Sequence, residues 1–473
     1  MRGLVWFRED LRTEDNTALS AAARKCTDGL IALYIIDSEA WIKHHMAPAR
    51  IQFILKGLTC LREDLENLHI PLQVIKTKDV AAKILETMQT HRCQALFYNR
   101  QYEIDEIKRD NLISQKMLQH HLQHHAFDDQ TILPPNKIRT QQGGFFKVFT
   151  PFKKAWQQIF LQIDIRLAKP VKPQKKLNIQ STDIPSLRSF KTTIDFSHWP
   201  SGPKAAQYRL KHFIKQGLAD YHKFRDFPAK KGTSRLSPYL SCGMISSRQC
   251  FMTACAANHY ELDSHSKGAI TWMNELIWRE FYKNLLIAVP RLSMHRAFKS
   301  KTEELQWRYN EKQFLAWQEG MTGIPIIDAA MRQLKHIGWM HNRLRMIVGM
   351  FFTKNMFFDW RLGEKYFIEH LIDGDLAANN GGWQWCASTG TDAAPYFRVF
   401  NPLSQSERFD PEGEFIRSYC PELKSFDNKA IHDPHTRNPV LAQKVKYPQP
   451  IVDLKLSRIE AIAAFKTLAH NNS

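Results

Sequence analysis

The segment from Asp373 to Asp392 carries the densest set of ligand-binding side chains in the sequence. It begins with Asp-Gly-Asp and continues with two adjacent asparagines, two adjacent glycines and a Trp-Gln-Trp run. Carboxylates and amides can hydrogen-bond a ligand from several sides, and glycine lets a ligand approach the backbone closely. Residues of this kind at this density rarely serve only a hydrophobic core, so the segment is predicted to bind a ligand.

A second candidate site lies on one face of a helix predicted over Ile270–Ala288. Its members are spaced i, i+3, i+4 and i+7, which places them on the same side of a helix: Glu275, Trp278, Arg279 and Tyr282. A carboxylate, an indole and a guanidinium on one face suit an aromatic ligand that also offers hydrogen bonds. A Glu–Arg ion pair beside a core tryptophan has the same spacing, so the pattern alone leaves both interpretations open.

A third helix is predicted over Asn342–Lys354. Asn342, Arg345 and Met346 share a face of it, whereas Arg343 points roughly 100° away. One face could contact a bound group while the flank contacts phosphate. The alternative is the solvated basic end of a helix.

Hydroxyl groups and an arginine are concentrated in a turn from Lys230 to Pro238. Ser237 followed by Pro238 predicts a helix start, with the serine as N-cap and the proline at the first helical position. Hydroxyls and free N–H groups at such a start can bind phosphate. Helix capping alone would explain the same residues.

The elements that must position these groups change in character along the chain. Strands alternate with helices up to about residue 130, which predicts a doubly wound parallel sheet with helices on both faces. No GxGxxG follows the first strand, so no dinucleotide cradle is expected in this domain. The predicted strands are Leu4–Phe7, Leu30–Ile36, Leu72–Ile75 and Ala95–Asn99, and the predicted helices are Asn16–Lys25, Ala47–Leu68 and Val80–His91.

The remaining chain divides into a connection and a helical domain. Residues 131–200 contain a basic, proline-broken tract and little periodicity, which predicts a long linker that wraps the surface rather than packs. Residues 201–473 are predicted to form a larger all-α domain, and eight of the twelve tryptophans lie between Trp272 and Trp385. The clearest further helices are Lys204–Gln216, Glu311–Gly320, Ile326–His336 and Gly363–Leu371.

Composition narrows the class of protein. The chain has 473 residues with 66 Lys and Arg against 47 Asp and Glu, a surplus of +19 that favours a polyanionic partner such as DNA. No apolar run approaches membrane-span length, and the start turns charged before a signal-peptide core could form. None of the eight cysteines forms a CxxC pair, so neither a metal site nor a disulfide framework is expected. A cytoplasmic protein with reduced thiols fits best.

Four of these segments together resemble the photolyase/cryptochrome family, and most closely its bacterial class I cyclobutane pyrimidine dimer photolyases. They are Asp373–Phe400, Trp339–Met346, Asn274–Tyr282 and Thr233–Ser237, and the opening Leu4–Arg12 is similar to that family's first strand. The resemblance implies that the helical domain binds reduced FAD without a covalent bond. Asn379 should then face the N5 edge of the flavin, and the residues expected around FAD are Tyr221, Arg225, Thr233, Ser234, Arg235, Leu236, Ser237, Trp272, Arg279, Arg345, Asp373, Gly374 and Asp375.

The resemblance also implies a substrate and a reaction. The substrate is UV-damaged DNA, whose pyrimidine dimer is flipped out, receives an electron from photoexcited reduced FAD, splits and returns the electron. Glu275 should stabilise charge on the dimer, and Arg343 and Arg398 should hold backbone phosphates. Trp383, Trp360 and Trp307 match a chain that carries electrons from the surface to the flavin. The lesion- and DNA-binding set is Glu275, Trp278, Arg279, Tyr282, Asn342, Arg343, Met346, Trp385 and Arg398.

A light-harvesting antenna in the first domain is a further implication of the resemblance. Its binding residues would be His44, Asp105 and Glu106, although the family has asparagine at 105 and a Cys-Lys pair where this chain has Ser293-Met294. The first expectation is 5,10-methenyltetrahydrofolate, the second an 8-hydroxy-deazaflavin, and the third no antenna.

Other functions in or near the family remain open as alternatives. A cryptochrome-type blue-light photoreceptor without repair turnover is the main one, but Asn379, the Asn342/Met346 wall and a chain that stops at Ser473 without a signalling tail favour the repair enzyme. The (6-4) repair enzymes carry a histidine pair where this chain has His341-Asn342, which counts against that lesion. We expect a monomer without metal, located in the cytoplasm and associated with the nucleoid through DNA.

Overall fold

The N-terminal domain contains one five-stranded parallel sheet, seen in a computed structural model that describes residues 1–470. The strands run in the order β3-β2-β1-β4-β5, and the first, second and fourth are buried along their whole length. Such continuous apolar runs are typical of strands covered by helices on both faces. The bounds are β1 Gly3–Phe7, β2 Leu30–Ile36, β3 Leu72–Lys76, β4 Ala95–Asn99 and β5 Gln123–Phe127.

Four of these strands were predicted and the fifth was not. Strand β5 reads Gln-His-His-Ala-Phe, and its polar residues suit an edge position but hide it from a search for apolar runs. Two helices of the domain, α2 and α5, were also missed, whereas the three predicted helices are confirmed. The helices are α1 Thr17–Lys25, α2 Ser38–Lys43, α3 Pro48–Asn67, α4 Val80–Thr90 and α5 Ile104–Gln119.

The connection after the sheet differs from the surface wrap that was predicted. It contains helix α6, Phe149–Gln162, whose Phe152 and Trp156 are fully buried. The Trp156 indole donates a 2.6 Å hydrogen bond to the carboxyl group of Glu280, a buried residue of the helical domain. The apolar face of α6 therefore packs against the helical domain. The proline-broken tract that follows α6 is irregular, as predicted.

The irregular part of the connection covers the open edge of strand β3. The Thr182 backbone N–H donates to the carbonyl of Leu72 at 2.9 Å, and the Val74 N–H donates to the Thr182 hydroxyl at 2.6 Å. These bonds occupy edge groups that would otherwise be available to another chain.

The remaining described residues are mainly helical, as predicted, and residues 471–473 of the predicted domain lie outside the described part. Within residues 1–470, no helix has both the length and the apolar character needed to cross a membrane. The helices are α7 Pro203–Gln216, α8 Tyr221–Phe224, α9 Ser237–Ser241, α10 Ser247–Ala257, α11 Lys267–Ala288, α12 Glu311–Glu319, α13 Pro325–Ile337, α14 Asn342–Met350, α15 Trp360–His370, α16 Leu376–Ala387, α17 Pro402–Phe409, α18 Glu414–Tyr419, α19 Pro434–Arg437, α20 Pro439–Lys444 and α21 Leu454–His470.

The predicted helix Asn342–Lys354 divides into two parts. Helix α14 ends at Met350, and the next five residues, Phe351–Asn355, continue as a wider π-helical turn. Such turns are rare in proteins, and many of those that occur lie at functional sites. This one belongs to the core that contains Trp360 and Trp383.

A buried network of charges joins the two domains. Arg248 of α10 contacts Asp129 at 2.6 Å and Asp15 at 3.2 Å, and Asp129 also pairs with Arg12. Burial opposes ionisation of Asp129, but Arg12 and Arg248 outweigh it and hold the pKa of Asp129 well below its usual range. All four side chains are at most 9% exposed, so each charge depends on its partners for solvation.

We expect Arg248→Met to lower the free energy of unfolding by about 3–5 kcal/mol, because it leaves buried carboxylates short of a cation. The matched control is Lys335→Met, which removes an exposed ion pair with Glu319 and should change stability by less than about 1 kcal/mol. Urea denaturation of both variants makes the comparison. Equal effects would show that the interdomain network adds nothing to stability.

Candidate functional site

The turn predicted to seat phosphate presents unpaired backbone donors. The N–H groups of Thr233, Ser234 and Arg235 donate to no acceptor among the described residues, and neither hydroxyl of the first two is bonded. Arg235 adopts a left-handed backbone conformation with φ of 50°. These half-buried groups form a polar surface suited to an anion such as a diphosphate.

Ser237 does not cap the following helix, so that prediction was wrong. Leu236 occupies the N-cap position and Ser237 is the first residue of α9. The Ser237 hydroxyl instead accepts a 3.1 Å hydrogen bond from the indole N–H of Trp339. The Arg235 guanidinium lies over the same indole, 5.3 Å from the ring centroid, so the turn is fixed by Trp339.

The Asp-Gly-Asp sequence is held by two cations. Arg345 contacts Asp373 at 2.8 Å, and Lys283 contacts Asp375 at 3.0 Å. Asp375 is also the N-cap of α16, accepting a bond from the Ala378 N–H at 3.0 Å. Burial opposes its ionisation, but Lys283 holds the pKa of Asp375 well below its usual range. Gly374, between the two aspartates, is buried.

Asn379 is oriented by a residue that the sequence did not reveal. Its amide nitrogen donates to the backbone carbonyl of Glu364 at 2.9 Å, which leaves the amide oxygen without a partner in the described residues. The buried Glu364 carboxylate accepts bonds from Asn380 and His295, each at 2.9 Å. The hydrogen bond to Glu364 raises the pKa of His295. Glu364 and His295 stand alone in the sequence and carry no motif, so no spacing pattern pointed to them.

Other residues predicted around FAD are already engaged in packing or hydrogen bonds. Tyr221 and Trp272 are buried and pack against the ring of Phe213, with centroids 5.8 Å and 5.1 Å away. Arg279 donates to the Gln130 carbonyl at 2.6 Å and to the Ser247 hydroxyl at 3.0 Å. These three residues shape the walls of the site.

The predicted face of α11 is present. Glu275 forms a 2.6 Å ion pair with Arg225, not with Arg279, and burial raises the pKa of Glu275. Trp278 stacks on Phe149 with ring centroids 3.7 Å apart and an interplanar angle of 7°. The face is half-buried at all four positions, which are Glu275, Trp278, Arg279 and Tyr282.

Helices α11 and α16 cross closely at Gly381. A β-carbon at this position would lie 2.3 Å from the ring of Tyr282, so only glycine permits the approach. Trp278 lies one turn before Tyr282, and Trp385 lies one turn after Gly381, so each tryptophan shares the face of its helix that carries the crossing. Both indoles are half-buried.

The two arginines predicted to hold phosphate differ in their surroundings. Arg343 contacts Asp226 at 2.9 Å and lies over Phe409, with its charge partly neutralised. Arg398 is exposed, and its guanidinium has no ion pair within the described chain. Beside Arg343 on α14, Asn342 is exposed and Met346 is half-buried.

Two of the three tryptophans of the predicted electron chain, Trp383 and Trp360, are linked through the backbone of one helix. A β-carbon on Gly363 would lie 2.2 Å from the Trp383 ring, so Trp383 rests on α15 one turn from Trp360. Both indoles are buried in one core. Trp307 is half-buried at the edge of that core, with its ring 5.0 Å from Phe357. The buried Trp317, which no sequence motif pointed to, packs against Trp383 with ring centroids 6.3 Å apart.

A cavity of about 390 Å³ lies between the domains at the carboxyl ends of β1, β2 and β4. Asp105 contacts Lys43 at 2.6 Å and His44 at 3.5 Å on its rim. Burial, reinforced by the charge of Glu103, raises the pKa of Glu106 to about 7, and one Glu106 carboxyl oxygen has no partner. The three predicted antenna residues therefore share one cavity, whose aromatic lining includes Trp6 and Trp41.

Comparisons with known proteins match most of the chain. The family model described as the FAD binding domain of DNA photolyase matches residues 272–467, and the model described as DNA photolyase matches residues 3–174. The deoxyribodipyrimidine photo-lyase of Vibrio cholerae is 45% identical over 98% of this chain and 99% of its own. That of Escherichia coli is 44% identical over 98% of both chains.

The chain belongs to the DNA photolyase family. A crystal structure of a bacterial class III photolyase from Agrobacterium tumefaciens matches it with a TM-score of 0.88 at 33% identity, covering 99% of this chain and 98% of that one. The family assignment makes the chain a light-dependent DNA repair enzyme with an FAD-binding domain. Within residues 1–470, no three His, Cys, Asp or Glu side chains are grouped to hold a metal ion.

His341 is the N-cap of α14 and is buried. Its Nδ1 accepts a 3.2 Å hydrogen bond from the Arg343 N–H, so this nitrogen carries no proton. Burial lowers the pKa of His341 to about 4. The charged form is therefore disfavoured in the folded protein, while the unfolded chain binds a proton near pH 6.5.

We expect the free energy of unfolding to fall between pH 6.5 and pH 4 by roughly 3 kcal/mol on account of His341, since only the unfolded state takes up the proton there. His341→Asn keeps an oxygen acceptor at the N-cap and cannot be protonated. Its stability relative to the parent should therefore rise as the pH falls through that window, measured by urea denaturation at several pH values. A difference that stays constant with pH would contradict the buried neutral histidine.

Proposed function

We propose that the residues on α11, α14 and α16 form a lesion pocket directly beside the flavin. The observation that carries this proposal is that Asn379 and Trp385 lie on the same helix, about 9 Å apart along its axis. Electronic coupling falls steeply with distance, so a donor at Asn379 and a lesion at Trp385 suit direct electron transfer. Gly381, between them, brings in the helix that carries Trp278.

The residues present fit a flavin dinucleotide. Unpaired N–H groups at Thr233–Arg235 suit its diphosphate, and the free amide oxygen of Asn379 can accept a hydrogen bond from the N5 edge of a reduced ring. Asp373 and Asp375, fixed by Arg345 and Lys283, would hold the rest of the cofactor without a covalent bond. The chemistry supplied by bound reduced FAD is light-driven donation of one electron to the dimer, whose two cyclobutane C–C bonds break before the electron returns.

The chain's own residues bind and orient the damaged bases. Trp278 and Trp385 supply ring surfaces for stacking, and Asn342 and Met346 form the remaining wall. Glu275, fixed by its ion pair with Arg225, would hydrogen-bond a base of the dimer and so stabilise the charge that develops when the electron arrives. Arg398 and, less strongly, Arg343 hold the flanking phosphates.

We propose that the interdomain cavity holds the antenna. The Glu106 carboxyl, with a pKa near 7 and an unpaired oxygen, suits a nitrogen heterocycle, and the aromatic lining suits a flat ring. A 5,10-methenyltetrahydrofolate is the first candidate and an 8-hydroxy-deazaflavin the second. We further propose that the protein acts as a monomer without metal, in the cytoplasm on nucleoid DNA.

The proposed roles of the tryptophans are tested by Trp307→Phe, because phenylalanine keeps most of the packing area but is much harder to oxidise. The variant should fold and bind FAD, yet fail to accumulate reduced flavin under light with an external reductant. After chemical reduction of the flavin it should repair dimers within about twofold of the parental rate. Absorption spectra and a repair assay on the same preparation measure both effects.

The control is Trp199→Phe. Trp199 is a buried tryptophan outside the predicted electron-transfer chain, and its indole N–H donates to the Ile337 carbonyl. Flavin photoreduction in this variant should be normal. Normal photoreduction in Trp307→Phe would remove Trp307 from the chain. A parent protein that binds FAD but repairs no dimers would be a photoreceptor of the cryptochrome type.

Arg398→Ala should weaken binding to damaged and undamaged DNA alike and lower the salt slope of log K by about one, because it removes one phosphate contact. Arg343→Ala should change the slope less, since Asp226 already neutralises part of that charge. Fluorescence titrations at several salt concentrations compare the two variants. A loss confined to damaged DNA would place Arg398 in the lesion pocket instead.

A further inference from the structure

Trp278 is covered on one ring face by a residue of the connection between the domains. The Phe149 ring lies parallel to it at 3.7 Å, closer than any other aromatic ring pair of the described residues. The other rings around Trp278 are Phe281, at 5.6 Å and 81°, and Tyr282, at 5.8 Å and 31°. Neither is parallel to the indole, so the face opposite Phe149 has no stacked partner.

Phe149 is itself fixed, because helix α6 is anchored to α11 along its length. Phe152 packs on Phe281 at 5.2 Å, and Trp156 donates to the buried carboxyl of Glu280. Glu280 also accepts bonds from the backbone N–H groups of Ile132 and Leu133. These contacts hold Phe149, the first residue of α6, against the face of α11 that carries Trp278.

The start of α6 also contacts the segment that follows Trp385. The Phe149 N–H, a donor without an intrahelical partner, donates to the Asp392 carboxylate at 3.0 Å. The Thr391 hydroxyl donates to the Lys147 carbonyl. Phe149 is therefore bonded on one side to the loop after Trp385 and stacked on the other side against Trp278.

We propose that Phe149 is a positioning residue for the lesion pocket, holding the indole of Trp278 so that a flipped-out pyrimidine stacks on its free face. This inference rests on the proposed lesion pocket. The Trp278 indole is then already fixed in the free protein, so DNA binding does not have to restrict its rotation. In the complex, Phe149, Trp278 and the damaged base form a three-layer stack. Binding to undamaged DNA does not use the stack and does not depend on Phe149.

The test is Phe149→Leu, with affinity measured for one duplex with and without a single thymine dimer. We expect a loss of about three- to tenfold for the damaged duplex and no change for the undamaged one, as removal of an aromatic pair predicts. Phe149→Tyr keeps the ring and should restore the parental ratio. Phe146→Leu is the matched control, since Phe146 packs on Phe152 at 6.1 Å and not on Trp278.

Thermal midpoints and FAD absorbance show whether each variant is folded. Should Phe149→Leu fail to fold, Phe149→Met, which keeps the volume without a ring, takes its place in the same comparison. The inference would be overturned if the ratio of affinities for the damaged and undamaged duplexes stayed at the parental value, whether both affinities fell equally or neither changed. Trp278→Ala separates the two proposals: if it leaves the ratio unchanged, the lesion pocket itself is wrong, whereas if it lowers the ratio and Phe149→Leu does not, only the role of Phe149 is wrong.

Discussion

The relative placement of the two domains depends on charges that neither domain can bury alone. Arg248 belongs to the helical domain, whereas Asp15 and Asp129 belong to the sheet domain, and all three side chains are at most 9% exposed. Removing a charge from water is unfavourable by several kcal/mol unless an opposite charge replaces the lost hydration. The pairing of Arg248 with Asp15 and Asp129 therefore favours the docking register that brings these partners together.

A second buried group uses the same constraint closer to the chemistry. Lys283 lies between Glu103 of the sheet domain, at 3.3 Å, and Asp375, the N-cap of α16, at 3.0 Å. Both carboxylates also line the interdomain cavity. One buried ammonium group thus fixes the floor of the interdomain cavity relative to the start of α16, and the antenna proposed for that cavity would need such a fixed distance and angle to a flavin.

Sequence patterns predicted the regular helices and strands of this molecule. They missed the features that depend on a single contact. The buried strands follow from their continuous apolar runs, and the shared face of α11 follows from helical spacing, because a helix repeats every 3.6 residues. Strand β5 was missed because an edge strand can be polar. Helix α6 was missed because it lies in a proline-rich region. The roles of Glu364 and Phe149 were missed because each depends on a partner that lies more than a hundred residues away or on another helix. Residue identities around FAD came from the family resemblance, and only the structure showed that Asp375 is bonded to Lys283 and Glu275 to Arg225.

The bonds between Thr182 and strand β3 have a consequence for how the chain matures. Ribosomes deliver the five strands before they deliver the segment that covers the β3 edge, so the newly made sheet passes through a period in which its border strand is unprotected. Exposed borders of this kind invite pairing with neighbouring nascent chains. The opposite border, β5, carries Gln123 and two histidines and is less adhesive. The segment around Thr182 thus covers the β3 border only late in biogenesis.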